Sequence, residues 1–123
     1  MSWNHALLIE INESDDLKVA PFHPNMSTTG TPTWIWEVVV DNRLFVRAYS
    51  GTSSRWYQAA RAQRAGKILA SGKEFNVRFA VISEPLLNDK IDQAYLKKYA
   101  ASTYVSAMVS SRVRQATIEI IPT

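Results

Sequence analysis

The chain of 123 residues has no cysteine, which excludes disulfides, thiolate metal sites and cysteine nucleophiles. With only 4 glycines it holds neither a P-loop nor the glycine fingerprint of a dinucleotide fold. Its 2 histidines, His5 and His23, stand far apart, and no HExxH or GxSxG pattern occurs. No metal is expected, neither histidine is expected to act as a base, and the catalytic residues stay unknown. No apolar run is long enough to cross a bilayer and no secretory leader pattern is seen, so the expected compartment is the cytoplasm, with no membrane partner. Charge is equally unconcentrated. The net charge is +3, yet the 14 basic residues scatter from Lys18 to Arg114 instead of forming a stripe, so nucleic acid is not the expected partner.

What the chain does have is a dense β pattern in its middle. The run TWIWEVVV at 33–40 is β-branched and aromatic, Asp41-Asn42 suits a two-residue turn, and RLFVRAYS at 43–50 resumes the strand. That turn fixes a register in which Val40 faces Arg43, Val38 faces Phe45, Trp36 faces Arg47 and Trp34 faces Tyr49. These side chains share one face, which mixes large aromatics with arginines. Ile35, Glu37, Val39, Leu44, Val46 and Ala48 share the other, which suits the interior of a small barrel. Glu37 is the exception there, because an unpaired acid among aliphatic groups is costly; a salt bridge, for instance to Arg78, or a place beside a bound ring would account for it.

The remaining pattern fills out a single domain over 1–123. Ser2 can cap a first helix with Trp3, Leu7, Leu8 and Ile11 on one side. A strand follows at 17–22, then a proline-bearing loop to Pro32. After the central hairpin comes a helix at 53–63, and a second hairpin pairs 67–71 with 73–82 around Ser71-Gly72. Pro85 and Asn88 open another helix, on which Leu87, Ile91, Tyr95 and Tyr99 recur at i, i+4 spacing. The segment 100–109 extends or restarts it, and a strand at 117–121 closes the chain. Hairpins punctuated by few helices predict an α+β fold of six strands.

Between the hairpin and its following helix, Thr52, Ser53 and Arg55 form a hydroxyl-rich helix entry beside a cation, where free N–H groups and the helix dipole can hold an anion. With Arg47 and Ser50 they make up a candidate anion site. Trp34, Trp36, Glu37 and Tyr49 are the candidate ligand pocket. The aromatic face predicts a homodimer, because few helices are at hand to cover it.

The pattern PTWIW-x-VVVDN-x-LFVRAYSG, followed by RWYQAAR, IDQAYLKKYAAS and ATIEIIP, resembles an uncharacterised bacterial family. That family is grouped with the FMN-binding split-barrel proteins, alongside pyridoxamine phosphate oxidases and deazaflavin-dependent nitroreductases. The resemblance implies a six-stranded split β-barrel with flanking helices, a homodimer, and FMN or a deazaflavin in the groove between subunits. By position it implies cofactor binding by Arg47, Ser50, Thr52, Ser53, Arg55, Trp56 and Arg61. Two departures from the deazaflavin pattern stand out. Its W-x-x-N motif here reads Trp56-Tyr57-Gln58-Ala59, and its basic glycine loop is replaced by Ser27-Thr28-Thr29-Gly30-Thr31-Pro32. With no lysine or arginine between Val19 and Arg43, a cofactor phosphate would rest on Arg47 and Arg55.

Two functions follow as expectations. The first is a small flavin- or deazaflavin-binding protein, an oxidoreductase of unknown substrate whose chemistry the cofactor supplies. The alternative is a cofactor-free dimeric module that binds a small aromatic or anionic ligand between Trp34, Trp36, Tyr49 and Trp56.

Overall fold

The computed structural model describes residues 2–123. Its elements run α1 (His5–Ser14), β1 (Lys18–Pro21), β2 (Thr33–Trp34), β3 (Glu37–Val40), β4 (Arg43–Arg47), α2 (Arg55–Gln63), β5 (Ala65–Ala70), β6 (Lys73–Val81), α3 (Pro85–Lys98), α4 (Val105–Met108), α5 (Ser111–Arg114) and β7 (Thr117–Pro122). A 3-10 turn, Gly51–Ser53, leads into α2. The α+β class is as expected, but among the described residues the strands number seven, not six.

The extra strand has a simple origin. The run expected as one strand at 33–40 breaks at Ile35 and Trp36, and its halves pair with different neighbours: Thr33 and Trp34 with β1, Glu37 to Val40 with β4. All pairings are antiparallel, in the order β2-β1-β5-β6-β7-β4-β3. The two ends of the sheet are therefore consecutive in the chain, which forces the sheet to curl until its ends meet.

Both hairpins turn as their sequences dictate. Asp41 and Asn42 have φ of 52° and 61°, and Ser71 and Gly72 have 53° and 73°, the left-handed pair that matches strand twist. The first turn sets Val40 opposite Arg43 and Val38 opposite Phe45. The pairs Trp36–Arg47 and Trp34–Tyr49 do not form, because the strand has already left β4 for β1.

The inner face of the curl holds Leu17, Val19, Leu44, Val46, Ile68, Val77, Ile118 and Ile120, all buried. Helix α1 covers one end, with Leu8 and Ile11 buried and the Trp3 indole donating to the Ile120 carbonyl at 2.8 Å. Asn4 caps this helix by accepting from Leu7 N–H; Ser2 does not, since the helix starts at His5. Gly66 is obligatory for a different reason: a Cβ there would sit 2.5 Å from the Ala20 carbonyl oxygen, so β5 and β1 approach at backbone distance. On the outer face, Val38 and Phe45 meet Leu87, Ile91, Tyr95 and Tyr99 of the α3 segment, together with Met108 and Val113. The face expected to need a second subunit is thus largely covered by the chain's own helices. Among the described residues no helix is long and apolar enough to cross a membrane.

Candidate functional site

The residue that departs furthest from its expected surroundings is Arg47. At the end of β4 it lies opposite Thr117 and is 1% exposed. Its Nε donates to Thr117 Oγ1 at 2.9 Å, Nη1 to Asp92 Oδ1 at 2.5 Å and to the Met108 carbonyl at 3.0 Å. Nη2 donates to the carbonyl and Oδ1 of Asn88 at 3.1 and 3.0 Å. Every N–H of the guanidinium is used, so none is left for an anion. Asp92 is also ion-paired with Arg114 at 3.2 Å, and the Tyr95 ring lies 5.5 Å beneath Arg47 Cζ. This network bolts α3 to β4 and β7.

Beside it opens a cleft of about 210 Å³ lined by Trp34, Ile35, Trp36, Arg47, Tyr49, Tyr104 and Met108. The structure brings together three of the four expected pocket residues, Trp34, Trp36 and Tyr49, and adds Tyr104 and Met108 from around α4. Three of its walls are strongly exposed: Trp34 at 60%, Tyr49 at 51% and Tyr104 at 61%. Trp36 is fixed by stacking on Tyr99, with centroids 4.0 Å apart and planes at 4°, and by its carbonyl accepting from Tyr95. Tyr49 and Tyr104 meet edge to face at 6.3 Å. Such a cleft offers flat, polarizable walls and two phenol side chains, with no carboxylate or imidazole among its lining residues. It can hold a ring; it brings no general base of its own.

Glu37 does not line this cleft. It is fully buried and pairs with Lys98, not with Arg78, while Lys98 also reaches Asp15 at 3.4 Å and the Glu37 carbonyl at 2.8 Å. The Tyr99 hydroxyl donates to Asp15 at 2.5 Å and accepts from the Glu37 N–H at 3.3 Å. Among the described residues Glu37 Oε1 has no hydrogen-bond partner. Burial lifts the Glu37 carboxyl from 4.5 to about 7, with Lys98 opposing the rise.

The other expected anion-site residues lie outside the cleft. Ser50, Thr52 and Ser53 are exposed on the turn before α2, where Ser53 Oγ donates to the Ser50 carbonyl. Arg55 is exposed at the start of α2, and Trp56 packs against the barrel end beside Tyr57. Arg61 lines a separate cavity with Arg64 and Arg78, its guanidinium over the Tyr57 ring at 5.8 Å. A cation that the sequence did not single out, Arg112, reaches the cleft's rim instead, donating to the Tyr49 carbonyl at 3.2 Å. No sequence signal marks Arg112, since the link runs across 63 residues.

Solved structures share this architecture. The conserved hypothetical protein Rv2991 from Mycobacterium tuberculosis superposes with a TM-score of 0.68 at 12% identity, covering 98% of this chain and 79% of its own. The "Putative Pyridoxamine 5'-phosphate oxidase" from Listeria innocua gives 0.66 at 10% identity, covering 95% and 90%. At such identities the likeness is one of fold, of the split-barrel type. No curated protein matches the sequence. A family model does, over residues 7–120, and the chain therefore belongs to the family described as "Uncharacterized protein conserved in bacteria (DUF2255)".

Proposed function

We propose that the protein binds a planar aromatic ligand in the cleft between Trp34, Trp36, Tyr49 and Tyr104, with a flavin as the first candidate. The observation that carries this reading is the cleft itself: three half-exposed or more exposed aromatic rings remain around one cavity although the chain has helices covering the rest of that face. Exposed aromatics gathered around a hollow are characteristic of a surface that is completed by a partner. The split-barrel fold shared with the Listeria protein makes flavin the natural ring to test.

The cleft fits a ring better than it fits a phosphorylated tail. Arg47 has no free donor, so a flavin phosphate would meet Arg112 at the rim or Arg55 on the α2 entry. A bound flavin would supply hydride or electron transfer, and Trp36, held by Tyr99 and Tyr95, would give its ring a rigid wall. An oxidoreductase on an unidentified substrate is the activity in keeping with a site that lacks an acid–base pair. The saturated Arg47 favours a second reading, in which the cleft takes an uncharged or weakly charged aromatic molecule and no cofactor. A homodimer in which a second chain walls the exposed side of the cleft belongs to either reading, and light scattering would report twice the chain mass.

Titration with FMN, riboflavin and a deazaflavin, followed by quenching of tryptophan fluorescence, tests the proposal. Saturable quenching that is lost in Trp34→Ala supports it, and retention of riboflavin binding with no gain from the FMN phosphate identifies the second reading. No quenching by any of the three would sink the flavin assignment.

A further inference from the structure

On the outer side of the sheet, away from the aromatic cleft, a groove of about 580 Å³ is lined by Arg61, Arg64, Arg78, Ala65, Phe79, Ala80, Val81 and Ile121. It shares no lining residue with the cleft. Arg61 lies in the last turn of α2, Arg64 caps that helix, and Arg78 stands in β6 between Ala65 of β5 and Ile121 of β7. No carboxylate lines the groove, and among the described residues none of these arginines forms an ion pair, in contrast to Arg43, Arg47 and Arg114, which all do. All three are exposed and line one groove without a counter-charge, with the Arg61 guanidinium resting 5.8 Å from the Tyr57 ring.

Ordinary folding needs do not explain the convergence. The negative end of the α2 dipole favours a cation in its last turn, which accounts for Arg61. It does not call for Arg78, on a strand. Arg64 is held at φ 61°, where glycine is the usual helix-ending residue and an arginine is strained. Its backbone is nevertheless pinned there: the N–H donates to the Ala60 carbonyl, and its carbonyl accepts from Phe79 N–H at 2.9 Å. A position whose backbone suits glycine holds a long cation directed at a groove. The apolar floor of Ala65, Ala80, Val81 and Ile121 completes the chemistry, because it can receive the carbon part of a ligand whose anionic end the arginines hold.

We propose that this groove binds a phosphorylated small molecule through its phosphate groups, with forked N–H donors from Arg61, Arg64 and Arg78. Guanidinium geometry matches phosphate oxygens in pairs, which a lysine cluster would not do. This site does not depend on the aromatic cleft being a flavin site, and its variants leave the cleft's walls intact.

Calorimetric titration of the full chain with inorganic pyrophosphate at low ionic strength tests the proposal. One pyrophosphate per chain is expected, with affinity falling at least about tenfold in Arg78→Thr and in Arg64→Gly. Arg64→Gly carries the decisive control. Relief of the left-handed strain should keep its melting temperature at or above that of the parent while pyrophosphate affinity falls, a combination that a structural arginine would not give. Quenching of tryptophan by riboflavin should be the same in the parent and both variants. The proposal is overturned if the parent shows no heat with pyrophosphate, if both variants bind as the parent does, or if single-stranded DNA binds through the same arginines more tightly than pyrophosphate.

Discussion

Inside the curl, Leu44, Val46, Ile68, Ile118 and Ile120 meet one another through carbon alone, whereas the layer between the outer face and α3 is assembled around a charged group, Arg47, with Asn88, Asp92 and Thr117 as its partners. Both layers are buried, but they resist change differently. Aliphatic packing is a sum of many weak contacts, each roughly 0.1–0.2 kcal/mol, and tolerates the loss of one methyl. A buried ion with all its donors engaged has no such gradation: removal of one member strands the rest. The interior thus sets the shape of the sheet, and the Arg47 layer sets where α3 and the following helices must sit, hence where Tyr104 and Met108 meet Trp36.

The largest effect that would break this contrast concerns Arg47. Arg47→Ala should lower unfolding free energy by about 3–5 kcal/mol, because Asp92 and Asn88 lose their buried cation. Ile118→Val inside the curl should cost about 0.5–1.5 kcal/mol. Urea unfolding of both variants measures the difference, and similar costs would erase the distinction between the layers.

Glu37 sharpens the comparison, as an acid that the strand pattern assigns to the aliphatic set. Its folded carboxyl titrates at about 7, above the 4.5 of the unfolded chain. Between these values the unfolded state sheds a proton that the folded state keeps. The stability associated with the neutral carboxyl is therefore fully present below 4.5 and is lost as pH rises through 7. At roughly 1.4 kcal/mol per unit, the loss is of order 3 kcal/mol. Glu37→Gln should remove that slope, so unfolding curves of parent and variant should converge at high acidity and separate above neutrality. Parallel pH profiles would refute the assignment of the slope to Glu37.

The smallest effect is expected at the cleft. Tyr104 is 61% exposed and meets Tyr49 only edge to face, so Tyr104→Ala should change stability within about 0.5 kcal/mol while weakening whatever quenches Trp34 and Trp36. A loss of stability comparable to that of Arg47→Ala would mean that Tyr104 belongs to the packed layer and not to a binding wall.

Local chemistry was legible in the sequence wherever neighbours along the chain decide it. Asp41-Asn42 and Ser71-Gly72 specify their turns, and the two-residue alternation separates Leu44 and Val46 from Phe45 and Val38. The break at Ile35 and Trp36 was not legible, because the same apolar pattern serves a strand that keeps its partner and one that changes partners; only closure of the sheet decides between them. Arg47 read as an anion holder because a cation at a strand end near hydroxyls looks alike whether or not an amide and an acid approach from 41 and 45 residues away. A signal did exist. Asn88 and Asp92 share the helical stripe of Leu87, Ile91 and Tyr95, and polar groups inside a buried stripe require a buried partner. Tyr104 and Met108 gave no signal, since the α4 segment reaches the cleft only through the docking of α3.

The bend that splits β2 from β3 carries a kinetic consequence. Ile35 and Trp36 act as a clasp that joins the two ends of the sheet, and the Ile35 amide, bonded to the Leu17 carbonyl at 3.1 Å, is held at that clasp. β2 is only two residues long, so this is where the ring of strands has least to hold it shut and where local opening should be fastest. Because Trp34, Ile35 and Trp36 are also walls of the cleft, any molecule lodged there bridges the clasp. Its arrival would be felt as slowed hydrogen exchange at Ile35, making this amide a reporter of occupancy even when the ligand is colourless.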